Sequence, residues 1–210
     1  MTKKAHIIFA HPEEKSFNGR LRDLAKETLE NQGVEVSIIN LYQEKFKAIA
    51  DKDDFTSIHQ TEYFDLQREQ LHAFREANFS EDIQREHLRL KSADLVIFQF
   101  PLWWYSIPAL LKGYFDRVFS FGFAYGNGGH HLVGKKALIS LTTGAPESMW
   151  HPKDRGHLEG HLHHVLKGTL EFCGMEVLAP TIAYGSKLMR PEERQVYEKL
   201  FSERIRSIFK

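Results

Sequence analysis

A chain of 210 residues is long enough for one sizeable α/β domain, and no break in composition argues for two. Lys+Arg and Asp+Glu stand at 28 each, which excludes a global electrostatic footprint for nucleic acid or an anionic membrane and counts against a small acidic carrier that docks by charge. Cys173 is the only cysteine, so there is no internal disulfide framework; its neighbours in EFCGM make it buried filler. The amino-terminal MTKKAHIIFAHPEE has too short an apolar core for a signal peptide, and no run reaches membrane-spanning length. The expectation is a soluble, cytoplasmic protein.

Ala5 to Ala10, with Ile7, Ile8 and Phe9, predicts a buried first strand that ends at His11-Pro12. Ser16 then caps a helix to about Gln32, with Leu21, Leu24, Ala25, Thr28 and Leu29 on one face and Gly33 as its stop. Val34 to Leu41 follows as a second strand, and this strand-helix-strand grammar implies a doubly wound sheet. The loop from His11 to Asn18 meets a helix amino terminus, where backbone N–H groups and the helix dipole favour a phosphate. It has neither Walker nor GxGxxG spacing, and it also reads as an ordinary loop in which Ser16 caps and His11 bonds locally. Residues 42–80 lack a strand pattern and predict a surface excursion. Within it Glu62 to Glu76 holds a helix with Phe64, Leu71 and Phe74 inward, and Ser80-Glu81-Asp82 starts another.

Leu95 to Phe100 is apolar except for Gln99, the pattern of a central strand covered on both faces. Pro101 stops it. Pro108 suits the first turn of a helix in which Leu111, Tyr114, Phe115 and Val118 recur at helical spacing. Between the prolines, Leu102-Trp103-Trp104-Tyr105-Ser106-Ile107 lies beyond the carboxyl end of that strand, where open α/β sheets bind ligands; three aromatics there predict a flat one.

Phe123 to His131 is a glycine-dense turn, read either as tight positive-φ geometry or as a mobile connector. Lys135 to Thr143 predicts a fourth strand ending in Thr142-Thr143-Gly144-Ala145-Pro146, whose hydroxyls and glycine N–H can meet the edge of a heterocycle or close a turn. His157, His161 and His164 are spaced to share a helix face as metal ligands do. Gly156 and Gly160 weaken that helix and no carboxylate or thiolate set accompanies it, so no metal is expected. Leu166 to Phe172 reads as helix, Glu176 to Tyr184 as a fifth strand, and Pro191 to about Phe209 as a final helix with Val196, Leu200, Ile205 and Ile208 inward. The expected fold class is α/β: one flavodoxin-like domain over residues 1–210, a doubly wound five-stranded parallel sheet in the order 2-1-3-4-5.

The segments AHPEEKSFN, DLVIFQFPLWWYSIPALLKGYFDRVF, FAYG, KKALISLTTG and LEFCG resemble the NAD(P)H:quinone oxidoreductase (DT-diaphorase) family of flavodoxin-like flavoenzymes. Bacterial drug-activity modulators and the flavin-binding ancillary subunits of glutathione-gated potassium efflux systems share these motifs. The resemblance spans nearly the whole chain and is thin between Leu41 and Asn78.

It implies that a flavin pyrophosphate lies on the loop of His11, Ser16, Phe17 and Asn18. The isoalloxazine would rest against Pro101, Leu102, Trp103, Trp104 and Tyr105, with Thr142, Thr143, Gly144 and Ala145 at its polar edge. Backbone N–H groups near Tyr105 and Gly144 would steady the charge that gathers on the reduced ring. The implied reaction is a two-electron, ping-pong hydride transfer from NAD(P)H through the flavin to a quinone. An aromatic matching Tyr125 roofs a pocket between two subunits, which implies a homodimer. Alternatives on the same fold are an azo or nitro reductase, a regulatory subunit docked on a potassium efflux transporter, and an electron-carrier flavodoxin.

Two departures stand out. Trp150 occupies the place of a tyrosine that the well-studied members pair with a histidine to relay charge, and Trp has no phenolic proton. His157 is the nearest candidate for that histidine, while an equally good alignment puts Arg155 there with a fixed positive charge. Arg194 matches a basic residue at the dinucleotide end of FAD, so FAD is expected, with FMN as the alternative.

Overall fold

Two of the central strands are closed off from water on both faces, and the covering helices explain why their sequence is so uniformly apolar. The computed structural model describes residues 2–153 and 155–210. Its strands are β1 (Lys4–Phe9), β2 (Glu35–Asn40), β3 (Leu95–Pro101), β4 (Lys136–Thr142), β5 (Glu176–Val177) and β6 (Thr181–Ala183). They form one parallel sheet in the order β2-β1-β3-β4-β5, with β6 also paired to β4. The helices are α1 (Phe17–Glu30), α2 (Leu66–Glu76), α3 (Glu81–Ser92), α4 (Ala109–Val118), α5 (Leu158–Val165) and α6 (Pro191–Ser207).

Side chains alternate across a strand, so each face of the sheet collects every second residue. Ile8, Val96, Phe98 and Ile139 meet α4 and α5 through Leu111, Tyr114, Val118, Leu162 and Val165. Ala5, Ile7, Ile97 and Leu138 meet α1 and α6 through Leu21, Ala25, Leu29, Phe201 and Ile205. The order 2-1-3-4-5 and the helices on both faces are those expected. Among the described residues no helix is long and apolar enough to cross a membrane.

The fifth strand departs from the expectation: it is split into β5 and β6. The Leu178 N–H still reaches the Ala137 carbonyl at 2.8 Å, but Pro180 has no N–H for the ladder and pairing resumes only at Thr181. On α6, Val196 and Leu200 face solvent, and Phe201 and Ser202 take the inward positions. Pro108 stands one residue before α4 as its cap, and α2 starts at Leu66 behind an Asp65 cap rather than at Glu62.

Residues 42–80 are more than an excursion. Arg117 on α4 is buried and donates to Asp54 at 2.8 Å, to Asp82 at 2.7 Å and to the Lys47 carbonyl at 3.1 Å. Phe55, Ala73, Phe79 and Ile83 build a small core of their own beside it. Gly113 permits the approach, because a Cβ there would lie 2.3 Å from the Ala48 carbonyl oxygen. A mixed charge pattern in sequence thus conceals one buried ion pair that anchors the whole segment.

Candidate active site

At the carboxyl end of β3 the chain folds back on itself in a two-residue turn. Trp103 N–H donates to the Ser106 carbonyl at 3.1 Å, and Ser106 N–H returns the bond to Trp103 at 3.0 Å. The central residues Trp104 and Tyr105 have φ of 49° and 60°. Left-handed backbone costs about 1–2 kcal/mol for each side chain that carries a Cβ. Trp104 is 95 % exposed, so burial of its ring does not offset this strain within the chain. Strained conformations of this kind collect at ligand-holding sites. Ser106 Oγ and His164 Nε2 share a hydrogen bond of 3.2 Å that fastens the turn to the end of α5.

Leu102, Trp104 and Tyr105 form one wall of a cavity of about 550 Å³. Thr143, Gly144 and Ala145, just past β4, contribute a second wall, and Trp150 and Arg155 also line it. The two threonine hydroxyls are engaged in the scaffold. Thr142 Oγ1 accepts from the Asn18 amide at 2.8 Å, while Thr143 Oγ1 donates to the Ala145 carbonyl at 2.6 Å and accepts the Gly185 N–H. The Thr143 hydroxyl closes the turn and the Thr142 hydroxyl ties β4 to α1, and the Gly144 backbone is exposed at the cavity wall.

Asn18 is likewise directed inward. It is 3 % exposed, donates to Thr142 and accepts the Gln99 amide at 2.8 Å. This buried chain explains the single polar residue of β3. The rest of the first loop stays at the surface. Ser16 accepts the Gly19 N–H at 3.1 Å and caps α1; His11 Nδ1 accepts the Glu13 N–H at 2.9 Å, and partial burial holds its pKa below the ordinary 6.5. His11 and Trp103 rings are 6.3 Å apart, so the loop at the start of α1 adjoins the aromatic turn. Phe17 lies 5.9 Å from Tyr197 and 5.4 Å beneath the Arg194 guanidinium, which donates to the Ser186 carbonyl at 3.0 Å.

Trp150 is nearly buried at the edge of the Tyr105 ring, 5.8 Å away, and the Arg155 guanidinium is 5.9 Å from the indole centre. His157 is the exposed cap position of α5 and does not line the cavity. Of the two alignments, only the one through Arg155 places its residue at the wall; the backbone turn at Gly156 (φ 74°) separates the two side chains. His161 and His164 make separate local bonds, to the Arg155 carbonyl and to Ser106. Among the described residues no group of three His, Cys, Asp or Glu side chains gathers as metal donors.

Tyr125 is not in this cavity. Its hydroxyl accepts the Gln67 amide at 3.1 Å, and its ring lies between Phe121 and Phe172 in a second cavity of about 640 Å³ that also includes Ile107 and His164. The glycine turn beside it is tight rather than a loose connector: Gly126 and Gly128 have φ of 64° and 96°, and a Cβ on Gly129 would lie 2.5 Å from the Tyr125 carbonyl. Sequence reasoning missed Met149 and Leu188 of the first cavity and the anchoring role of His161. Only His161 carried a signal, as a histidine one helical turn after His157, and its ring lies 5.0 Å from Tyr105.

Among the described residues the buried Trp150 Nε1 and Arg194 Nε, both at this end of the sheet, have no hydrogen-bond partner. An orphaned buried donor costs about 1–3 kcal/mol. Together with the exposed flat rings and the α1 amino terminus, they fit a planar cofactor that carries phosphate.

A family model described as flavodoxin-like fold matches residues 3–205. The mouse protein named ribosyldihydronicotinamide dehydrogenase [quinone] is 41 % identical, over 99 % of this chain and 93 % of its own. Guinea-pig NAD(P)H dehydrogenase [quinone] 1 is 39 % identical over 99 % of this chain and 78 % of its own. A crystal structure from Klebsiella pneumoniae, assigned as a quinone reductase, superposes with a TM-score of 0.93 at 34 % identity, covering 100 % of this chain and 86 % of that one.

Proposed function

The chain belongs to the flavodoxin-like NAD(P)H:quinone oxidoreductase family, and from that premise we propose that it is a flavin-dependent NAD(P)H dehydrogenase acting on quinones. The observation that carries the reading is the strained Trp104-Tyr105 turn, which presents flat, exposed rings beside Gly144 where β3 and β4 end. When bound, a flavin supplies hydride acceptance and donation, chemistry that no side chain here provides.

The chain's own part is to bind, orient and steady charge. Trp103, Trp104 and Tyr105, following Pro101 and Leu102, hold one face of the ring. Backbone N–H groups at Tyr105 and Gly144 are the donors toward developing negative charge. The loop of His11, Ser16 and Phe17 at the α1 amino terminus receives the pyrophosphate, and Arg194 above Phe17 extends the site toward an adenine, which favours FAD over FMN. Trp150 closes one end. Nicotinamide and quinone occupy the same cavity in turn, the ping-pong order.

Tyr125 lies in a different cavity from Trp104, so we infer that it serves the site of a second copy, as a homodimer requires. The protein acts in the cytoplasm as a single domain. Docking on a potassium efflux transporter is the weaker reading, because residues 42–80 are anchored as an integral part of the fold through Arg117. Absorbance of the purified protein, followed by NADH or NADPH and then a benzoquinone, tests the proposal. A flavin spectrum bleached by the nicotinamide and restored by the quinone is expected. A protein that takes up neither FAD nor FMN overturns it, and reoxidation by azo or nitro compounds alone moves the acceptor class.

A further inference from the structure

We propose that Arg155 is a permanent counter-charge for the bound cofactor ring, that His161 sets it in place, and that the site operates without a proton relay. The inference rests on the flavin reading above and deepens it. Arg155 is the one charged side chain among the described residues that line the first cavity. Its guanidinium lies 5.9 Å from the Trp150 ring, a loose cation–π contact. Its backbone carbonyl accepts the Nε2–H of His161, and the turn that carries it is closed by Gly156 N–H donating to the His151 carbonyl at 3.0 Å. The same imidazole lies 5.0 Å from Tyr105 and 5.9 Å from Trp150. One ring thus fastens the cation to the aromatic wall, its Nε2–H donating to the Arg155 carbonyl.

Among the described residues the surrounding groups leave little else to move a proton. Glu147, His151, Lys153, His157 and Glu159 are exposed around the turn and do not line the cavity. Among the described residues Tyr105 is the only other ionisable side chain on the wall, and the Trp150 indole N–H is not an acid at any working pH. A hydride passed from the nicotinamide carbon to the ring breaks one C–H bond and forms one N–H bond. It carries two electrons and one proton, so NAD(P)⁺ leaves and one negative charge stays behind. A guanidinium answers that charge without a further proton. The hydride then leaves for the quinone, which takes its second proton from water.

The test is the midpoint potential of the bound flavin measured against pH through the neutral range. Wild-type protein should change by about 30 mV per pH unit, one proton per electron pair. Arg155→Met should lose at least tenfold in preference for reduced over oxidised flavin, about 30 mV at two electrons, and steepen to about 60 mV per pH unit as a second proton replaces the lost charge. Arg155→Lys should keep the shallow slope. His161→Ala should move part of the way toward Arg155→Met, and His161→Gln, which retains an N–H, should stay near wild type. A wild-type slope of two protons per electron pair overturns the proposal, as does Arg155→Met with wild-type potential and slope. A wild-type protein that binds no flavin overturns the flavin reading itself, a distinct result.

Discussion

The amide of Asn18, at the start of α1, donates to Thr142 Oγ1 at the end of β4 across 2.8 Å of protein interior. The Gln99 amide of β3 donates to Asn18 in turn at 2.8 Å. Three elements that bear the site are therefore locked together by side chains behind it. Asn18→Ala leaves the Gln99 amide without its acceptor and should cost about 1–3 kcal/mol of unfolding free energy. Urea unfolding of the variant reads this directly; a loss under about 0.5 kcal/mol would mean that the chain contributes nothing net.

Trp104 separates stability from binding. Trp104→Gly relieves a left-handed residue and should raise unfolding stability by about 1 kcal/mol. Trp104→Ala retains the strain and should leave stability near wild type, since the ring is 95 % exposed. Both should weaken flavin affinity about tenfold or more, the scale of one lost aromatic stacking contact with its burial. Thermal melts of the apoprotein beside flavin titrations check the pair; unchanged affinity would return the ring to mere surface.

Arg117→Met should be severe. It leaves buried Asp54 with the longer contact to the Lys47 ammonium at 3.3 Å, and breaking a buried ion pair from one side costs about 3–5 kcal/mol, the lower end being expected here. Proteolysis of the variant should cut first within residues 42–80. Asp54→Asn keeps a hydrogen-bond acceptor and should cost less.

His87 sets the acid limb of stability. Its ring stacks 3.8 Å from Phe123 and bonds the Val118 carbonyl at 2.9 Å, and burial pushes its pKa down from 6.5 to about 4. The folded value lies below the unfolded one, so protonation favours the unfolded chain. The contribution is complete above pH 6.5 and declines as pH falls to about 4, by up to about 3 kcal/mol across the window. His87→Gln should flatten the dependence of the urea midpoint on pH between those limits, whatever its effect at neutral pH.

The sheet order and the place of the candidate cavity were legible because they depend on short-range signals. β3 reads as a covered strand from its apolar run, and Pro101 and Pro108 bracket the aromatic turn. What escaped depends on partners far apart in sequence. Arg117 meets Asp54 across 63 positions, and nothing local in either segment announces the pair. Thr142 and Thr143 looked available because a hydroxyl's partner is invisible until α1 and residues 183–186 fold against it. Alignment alone left Arg155 and His157 open, two residues apart, and the turn at Gly156 puts Arg155 and not His157 on the cavity wall. Val196 and Leu200 faced the wrong way because apolar spacing on α6 does not say which of two stripes meets the sheet.

The break at Pro180 matters for how the molecule meets its neighbours. A long open strand at a sheet margin invites another chain to add itself by backbone bonding, and aggregation follows. Here that margin consists of segments of two and three residues divided by a proline. It offers too little continuous backbone to template a foreign strand, so at this margin the molecule meets its neighbours through side chains and loops rather than by lengthening the sheet.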